Sequence, residues 1–189
     1  MPKILAFAGS LRRNSWNKKL IKVAAQGARE AGAEVTLLDM KDYPLPVYDG
    51  DDEKADGLPE NAKKLKELFK AHDGLLISSP EYNSGYPGGL KNLIDWVSRP
   101  GEGEKPLEAF RGKPVAIMAA SPGARGGMRM LPHLRDLLAN IQMLVLPGMY
   151  GLAGAAEAFD EKGNLKDEKV AGIVKGLGKS VADMAARLA

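Results

Sequence analysis

A doubly wound parallel α/β sheet of five strands, in the order 2-1-3-4-5 with helices on both faces, is the architecture this sequence predicts. Three observations predict it. Five apolar runs of strand length recur along the chain, little interrupted by charge, as strands buried on both sheet faces must be. Segments with helical spacing of apolar residues separate them, the alternation that βαβ units produce. Three strand-to-helix connections are rich in Gly, Pro, Ser and Asn. In that strand order they follow strands one, three and four, which are neighbours, and strands one and three flank the switch point where open sheets bind ligands. The 189 residues suffice for one domain with a sizeable core, so residues 1–189 are read as a single domain.

Lys3–Ala8 (KILAFA) is the first strand, followed at once by GSLRRNSWN, residues 9 to 17. A helix from about Lys18 to Ala31 then places Leu20, Val23, Ala24, Gly27 and Ala31 on one face. Glu34–Asp39 completes a βαβ unit, whose crossover is right-handed. The connection from Met40 to Glu60 is long and rich in Pro, Asp and Tyr. Its stretch YPLPVYD, residues 43 to 49, carries enough apolar surface to pack on a ligand edge or a partner subunit, whereas the acidic DGDDEKAD reads as solvated surface. Asn61–Ala71 is an amphipathic helix with Leu65, Leu68 and Phe69 inward. Gly74–Ser79 is the third strand. The breakers Pro80, Gly85, Pro87, Gly88 and Gly89 force a fixed loop after it, and Leu90, Leu93, Ile94 and Val97 form the face of the next helix.

Arg99–Lys113 is a polar link with a short apolar piece at Leu107–Phe110. Pro114–Ala120 is the fourth strand, SPGARGG the glycine-rich loop after it, and Met128–Ala139 a helix. Met143–Leu146 is the fifth strand, ended by Pro147 and Gly148. Residues 151–158 carry no clear signal. Residues 159–165 read as an exposed turn or hairpin, and Asp167–Leu188 as a last helix despite three glycines.

Composition narrows the chemistry. With no cysteine, disulfide scaffolds, thiol catalysis and zinc–thiolate sites are excluded, and a cytoplasmic location is the expectation. The two histidines, His72 and His133, stand in no metal-ligand spacing, so no metal site is expected. His72 ends a polar helix, where its imidazole can face the last carbonyls. The charge of +3 is spread along the chain with no basic arm, which argues against nucleic acid, and no apolar run reaches membrane-spanning length.

The first loop matches neither GxGxxG nor GxxxxGK[ST]. With one glycine it must offer side chains: hydroxyls of Ser10 and Ser15, the planar fork of Arg12, and the amide of Asn17 near the helix start. Together with free N–H groups of that helix they suit a terminal phosphate. Ser15 or Asn17 also fits an N-cap. Arg13 is expected to point away, as consecutive residues do.

GSLRRNSWN, PEYNSGYPGGLKNLIDW and SPGARGG, each after a strand and in this order, resemble the NADPH-dependent FMN reductase family. That family has the flavodoxin-like fold and includes chromate, quinone and azo-dye reductases. The resemblance runs from about Lys3 to Leu146. It implies that Ser10, Arg12, Ser15 and Asn17 hold the FMN phosphate. It lays Pro80, Glu81, Tyr82, Asn83 and Ser84 along the isoalloxazine ring, largely through backbone groups, and closes the site with Ser121, Gly123, Gly126 and Gly127. Lys91 and Asp95 match the family's helix as structural residues. NADPH or NADH would supply hydride, a small molecule such as free flavin, a quinone, an azo compound or chromate would accept electrons, and the chain would form a homodimer or homotetramer with 43–49 covering a neighbour's site.

No catalytic side chain is expected, because the flavin carries hydride chemistry itself. Tyr82 is a candidate for ring or nicotinamide packing, or a plain aromatic wall, and Arg125 and Arg129 are candidates for the NADPH phosphates. Valine at Gly126 or Gly127 is expected to impair flavin binding without unfolding the domain. A flavodoxin-type electron carrier and a non-enzymatic nucleotide-binding module are the alternatives. The first loop lacks the Thr-Gly-x-Thr pattern of such carriers, and a pI near 9.0 is the wrong sign for one.

Overall fold

The computed structural model describes residues 1–101 and 103–188. Glu102, inside the predicted 99–113 link, and Ala189 lie outside the described residues. Strands β1 (Lys3–Ala8), β2 (Glu34–Leu38), β3 (Gly74–Ser78), β4 (Pro114–Ala120) and β5 (Leu144–Leu152) form one sheet in the order β2-β1-β3-β4-β5. Every pairing is parallel. The strand order, the flavodoxin-like topology and the right number of strands are therefore as the sequence predicts.

Alternation along each strand divides the core into two layers. Ile4, Ala6 and Ala8 of β1, with Ala116 and Met118 of β4, face helices α1 (Trp16–Glu30) and α6 (Glu168–Leu188). Leu5, Phe7, Ile77 and Ile117 face α3 (Glu60–Lys70), α4 (Gly88–Ser98) and α5 (Met130–Asn140) on the other side. The small residues on the first layer let α1 and α6 lie close. Their contact is tight at two glycines: a Cβ on Gly27 would overlap the Lys175 carbonyl, and one on Gly178 would overlap that of Ala24. Gly178 therefore sits in a long helix for packing, which offsets its poor helix propensity.

Three elements differ from expectation. β5 does not end at Pro147 and Gly148 but continues to Leu152. Val145 pairs with Val115 and Met149 with Ile117, so β5 carries extra residues through an irregularity that contains the proline and the glycine. An edge strand tolerates this because one side of it donates to no neighbour. The acidic stretch after YPLPVYD is exposed as expected, yet forms a short helix, α2 (Gly50–Asp56), capped by Asp49 with Asp51, Asp52 and Glu53 in its first turn. The 159–165 hairpin exists, but Phe159 and Leu165 at its base are buried.

The 43–49 segment packs on its own chain. Pro46 O accepts from Trp96 Nε1 at 2.9 Å and Asn92 Nδ2 at 2.7 Å, while Tyr48 meets Trp96 edge-on at 5.0 Å. The 99–113 link is pinned to α3 through Lys66, which is buried, donates to Arg99 O and pairs with Glu104 at 2.8 Å. His72 is buried; it bridges the Leu68 carbonyl (2.6 Å) and the Thr36 hydroxyl (2.8 Å). It thus faces a late helix carbonyl as predicted and also ties α3 to β2. Among the described residues no group of three or more His, Asp or Glu could hold a metal ion, and no helix is long and apolar enough to cross a membrane.

Candidate functional site

The strands end together, and their loops meet there. Gly9 N–H donates to Ser78 O at 2.9 Å, and Ser79 N–H to Met118 O at 2.9 Å, so the chain leaves β1, β3 and β4 at one level. A cavity of about 70 Å³ lies above these ends. Ser10, Arg12, Ser15 and Asn17 line it from the first loop, Pro80, Glu81 and Tyr82 from the second, and Ser121 from the third. Trp16 also lines it, and Arg12 lies over its ring at 5.4 Å. The sequence reading passed over Trp16, although an indole within GSLRRNSWN beside an arginine was a usable signal.

Within the first loop, Ser15 is the N-cap of α1, accepting from Asn17 N–H at 3.2 Å. Ser10 Oγ accepts from Arg12 N–H at 3.3 Å. Both serines are buried, yet as hydroxyls each keeps a hydrogen to donate into the cavity. The N–H groups of Asn14, Ser15 and Trp16 have no protein acceptor among the described residues. These donors, the helix start and the exposed Arg12 suit a terminal phosphate.

Asn17 is different. Its Oδ1 accepts from Ala120 N–H (2.9 Å) and Ser78 Oγ (2.8 Å), and its Nδ2 donates to Ala120 O (3.0 Å). At 2% exposure it clamps α1 to the ends of β3 and β4. One residue inside the helix, its side chain bonds to the strand ends while it also lines the cavity, a structural role that the expected phosphate contact did not include.

Arg12 and Arg13 part as expected. Arg13 lines a second cavity of about 350 Å³ on the β2 side, with Lys18, Lys19, Lys22 and Asp39. It is the larger of the two, but only the first loop reaches it and it lies away from the meeting point of the three loops. Ser15 borders both.

In the second loop Tyr82 and Gly85 exchange backbone hydrogen bonds of 2.9 and 3.0 Å around Asn83 (φ 51°) and Ser84 (φ 67°). Two consecutive left-handed residues make a type I′ hairpin turn. It leaves Tyr82 half exposed at 51% beside the cavity. Asn83 and Ser84 form the tip and are not on the cavity wall. The carboxylate of Glu81 turns away from a ligand role and accepts from the N–H groups of Arg129 (3.0 Å) and Met130 (3.1 Å). Arg129 in turn donates from Nη1 to Ser84 Oγ at 3.4 Å. Lys91 and Asp95 pair with each other along α4 at 2.7 Å, a structural contact within the helix.

In the third loop Ser121 Oγ accepts from Gly123 N–H at 3.3 Å. Gly126 (φ 58°) and Gly127 (φ 84°) hold left-handed conformations. A Cβ on Gly126 would lie 2.6 Å from the Gly151 backbone, and one on Gly127 2.6 Å from Ala119 Cβ. Both glycines therefore serve to seat the loop on β4 and β5. Valine there would displace the loop itself, and with it any ligand contact the loop makes.

A model of the NADPH-dependent FMN reductase family matches residues 2–158. The chain is 37% identical over 175 residues to an NAD(P)H-dependent FMN reductase of Pseudomonas aeruginosa, covering 92% of this chain and 89% of that protein. It is 35% identical over 147 residues to a quinone reductase of Escherichia coli, covering 76% and 73%. Among solved structures, FerB, a flavoenzyme NAD(P)H:(acceptor) oxidoreductase of Paracoccus denitrificans, superposes with a TM-score of 0.80 at 32% identity over 99% of this chain and 98% of that one. The fold, the three converging loops and these likenesses agree: the chain belongs to the NADPH-dependent FMN reductase family.

Proposed function

We propose that the protein is an FMN-dependent NAD(P)H oxidoreductase that passes electrons to a small-molecule acceptor. The observation that carries this is the meeting of three loops, in a member of this family, over the ends of β1, β3 and β4. When bound, FMN supplies the hydride and electron chemistry. The chain's own work is positioning. Ser10, Ser15 and the free N–H groups of the α1 start donate to the phosphate, and Arg12 adds charge-assisted bonds to it. Backbone groups of Pro80–Tyr82 would lie along the ring, with Asn83 and Ser84 at the turn beyond them; Tyr82 would form an aromatic wall, and the loop Ser121–Gly127, with Gly123, Gly126 and Gly127, would close the site. Asn17 acts from behind by holding the strand ends level. No acid, base or nucleophile is required of a side chain.

Quinone, free flavin, azo compound and chromate are all candidate acceptors, with NADPH or NADH as donor. The quinone reductase relatives favour a quinone. The same reading has residues 1–189 acting as one FMN-binding domain, in the cytoplasm, as a homodimer or homotetramer.

An absorption spectrum of desalted protein reconstituted with FMN, before and after anaerobic NADPH, tests the proposal. Retained flavin bands that bleach support it. Bands that NADPH and NADH both leave unchanged would replace it with an electron carrier, and loss of all flavin from folded protein would overturn it.

A further inference from the structure

Helix α5 starts without a cap of its own. Arg129 before it is helical in conformation (φ −72°, ψ −33°) and makes no side-chain cap bond. A side-chain acceptor comes instead from a residue 48 positions away in sequence, Glu81 of the second loop, whose Oε2 takes the Arg129 N–H and shares the Met130 N–H with the Gly127 carbonyl at 3.3 Å. A carboxylate at this end of a helix also meets the positive end of its dipole. A second strap runs the opposite way, from the Arg129 guanidinium to Ser84. Between the straps a Cβ on Gly127 would lie 3.8 Å from Glu81 Cβ, so the two loops touch with no side chain separating them.

We propose that Glu81 is a positioning residue of the flavin site: its carboxylate, bound to the start of α5, fixes loop 80–85 against loop 121–127, the two walls of the ring site. The inference rests on the FMN reading above and deepens it. It makes the two loops one mechanical unit with Glu81 as the joint. It also explains why a charged side chain can stand beside a cavity for an anionic cofactor, since its charge is committed elsewhere.

FMN titration by fluorescence, run beside thermal unfolding of the flavin-free protein, tests it. Loss of the joint in Glu81→Ala should weaken FMN binding about tenfold, the order of a lost cap. Glu81→Gln keeps an accepting oxygen and should recover most of that affinity. The deciding variant is Glu81→Ala with Met128→Asp, and Met128→Asp alone is its control. An aspartate at 128, in the turn just before α5, can cap the Met130 N–H two residues on without tying the loops. It should restore the unfolding temperature and leave FMN binding weak. Restoration of both would overturn the proposal, showing that α5 needs a cap and not a joint. Equal FMN affinity in the wild type and Glu81→Ala would also overturn it while leaving the flavin reading intact. A folded wild type that retains no flavin would overturn both.

Discussion

Arg12 and Arg13 are adjacent, alike in chemistry and exposed, yet they border different cavities. Arg12→Ala removes charge-assisted bonds to a phosphate, worth about 1.5–3 kcal/mol, so FMN affinity should fall roughly ten- to a hundredfold. Arg13→Ala should leave it unchanged in the same fluorescence titration. Equal losses would move the phosphate to the ridge between the cavities. Asn17 makes the complementary case. Because its amide is bonded to Ala120 and Ser78, Asn17→Ala should lower the stability of flavin-free protein by about 2 kcal/mol, the order expected for stranding buried polar groups. Denaturant unfolding without FMN reads this directly; undiminished stability would return Asn17 to the role of ligand donor. Sequence alone could name Asn17 as important, since an asparagine at a helix start invites it. It could not say which way the amide faces, because that depends on β4, about 100 residues later.

At the scale of elements, glycines of one helix have opposite meanings. Gly178 abuts the Ala24 carbonyl across the α1–α6 contact, whereas added Cβ atoms on Gly172 and Gly176 would meet open space. Gly178→Ala should destabilise by about 1–3 kcal/mol through overpacking. Gly172→Ala and Gly176→Ala should each stabilise by roughly 0.4–1 kcal/mol through the unfolded chain. Chemical denaturation of the three variants checks both signs. The link between α4 and β4 offers a pH test. The hydrogen bond from Lys66, aided by the Gly101 N–H and Lys70, holds the Glu104 carboxyl down to about 2 from its usual 4.5. A carboxyl depressed on folding stabilises above its unfolded value and loses that contribution as pH falls toward the folded one. Stability should therefore drop between about pH 5 and pH 2, and Glu104→Gln should drop less over the same range. Identical acid profiles would show that the pair contributes nothing.

For the molecule as a whole, the sheet was legible because its central strands are buried on both faces and read as unbroken apolar runs. What escaped were features decided by partners distant in sequence. The cap of α5 sits in the loop before α4, and β5 passes through Pro147 only because its far side is an edge. The short α2 has no buried residue, so no apolar periodicity marks it. The first two loops were legible from their breakers and donors; the glycines of the third loop were found, but not the close packing on β4 and β5 that they permit. Since the cavity is built from three loops at once, FMN should stabilise the entire fold. Ligand at 100 times its Kd adds about 2.7 kcal/mol. For a chain of this size that is a rise in Tm of roughly 5–10 °C. A thermal shift assay that shows no rise at saturating FMN would rule out this cooperative site.

The irregular course of β5 also bears on how copies of the chain can meet. A parallel sheet of this kind is open at both sides, and a long straight outer strand invites a neighbour to extend the sheet without limit. β5 spans nine residues, but Pro147 withholds a donor midway and the slipped pairing breaks its outward rhythm. Such a border is poor for annealing and disfavours fibre-like extension of the sheet. One proline that looked like an end to the strand is better understood as a guard on its rim.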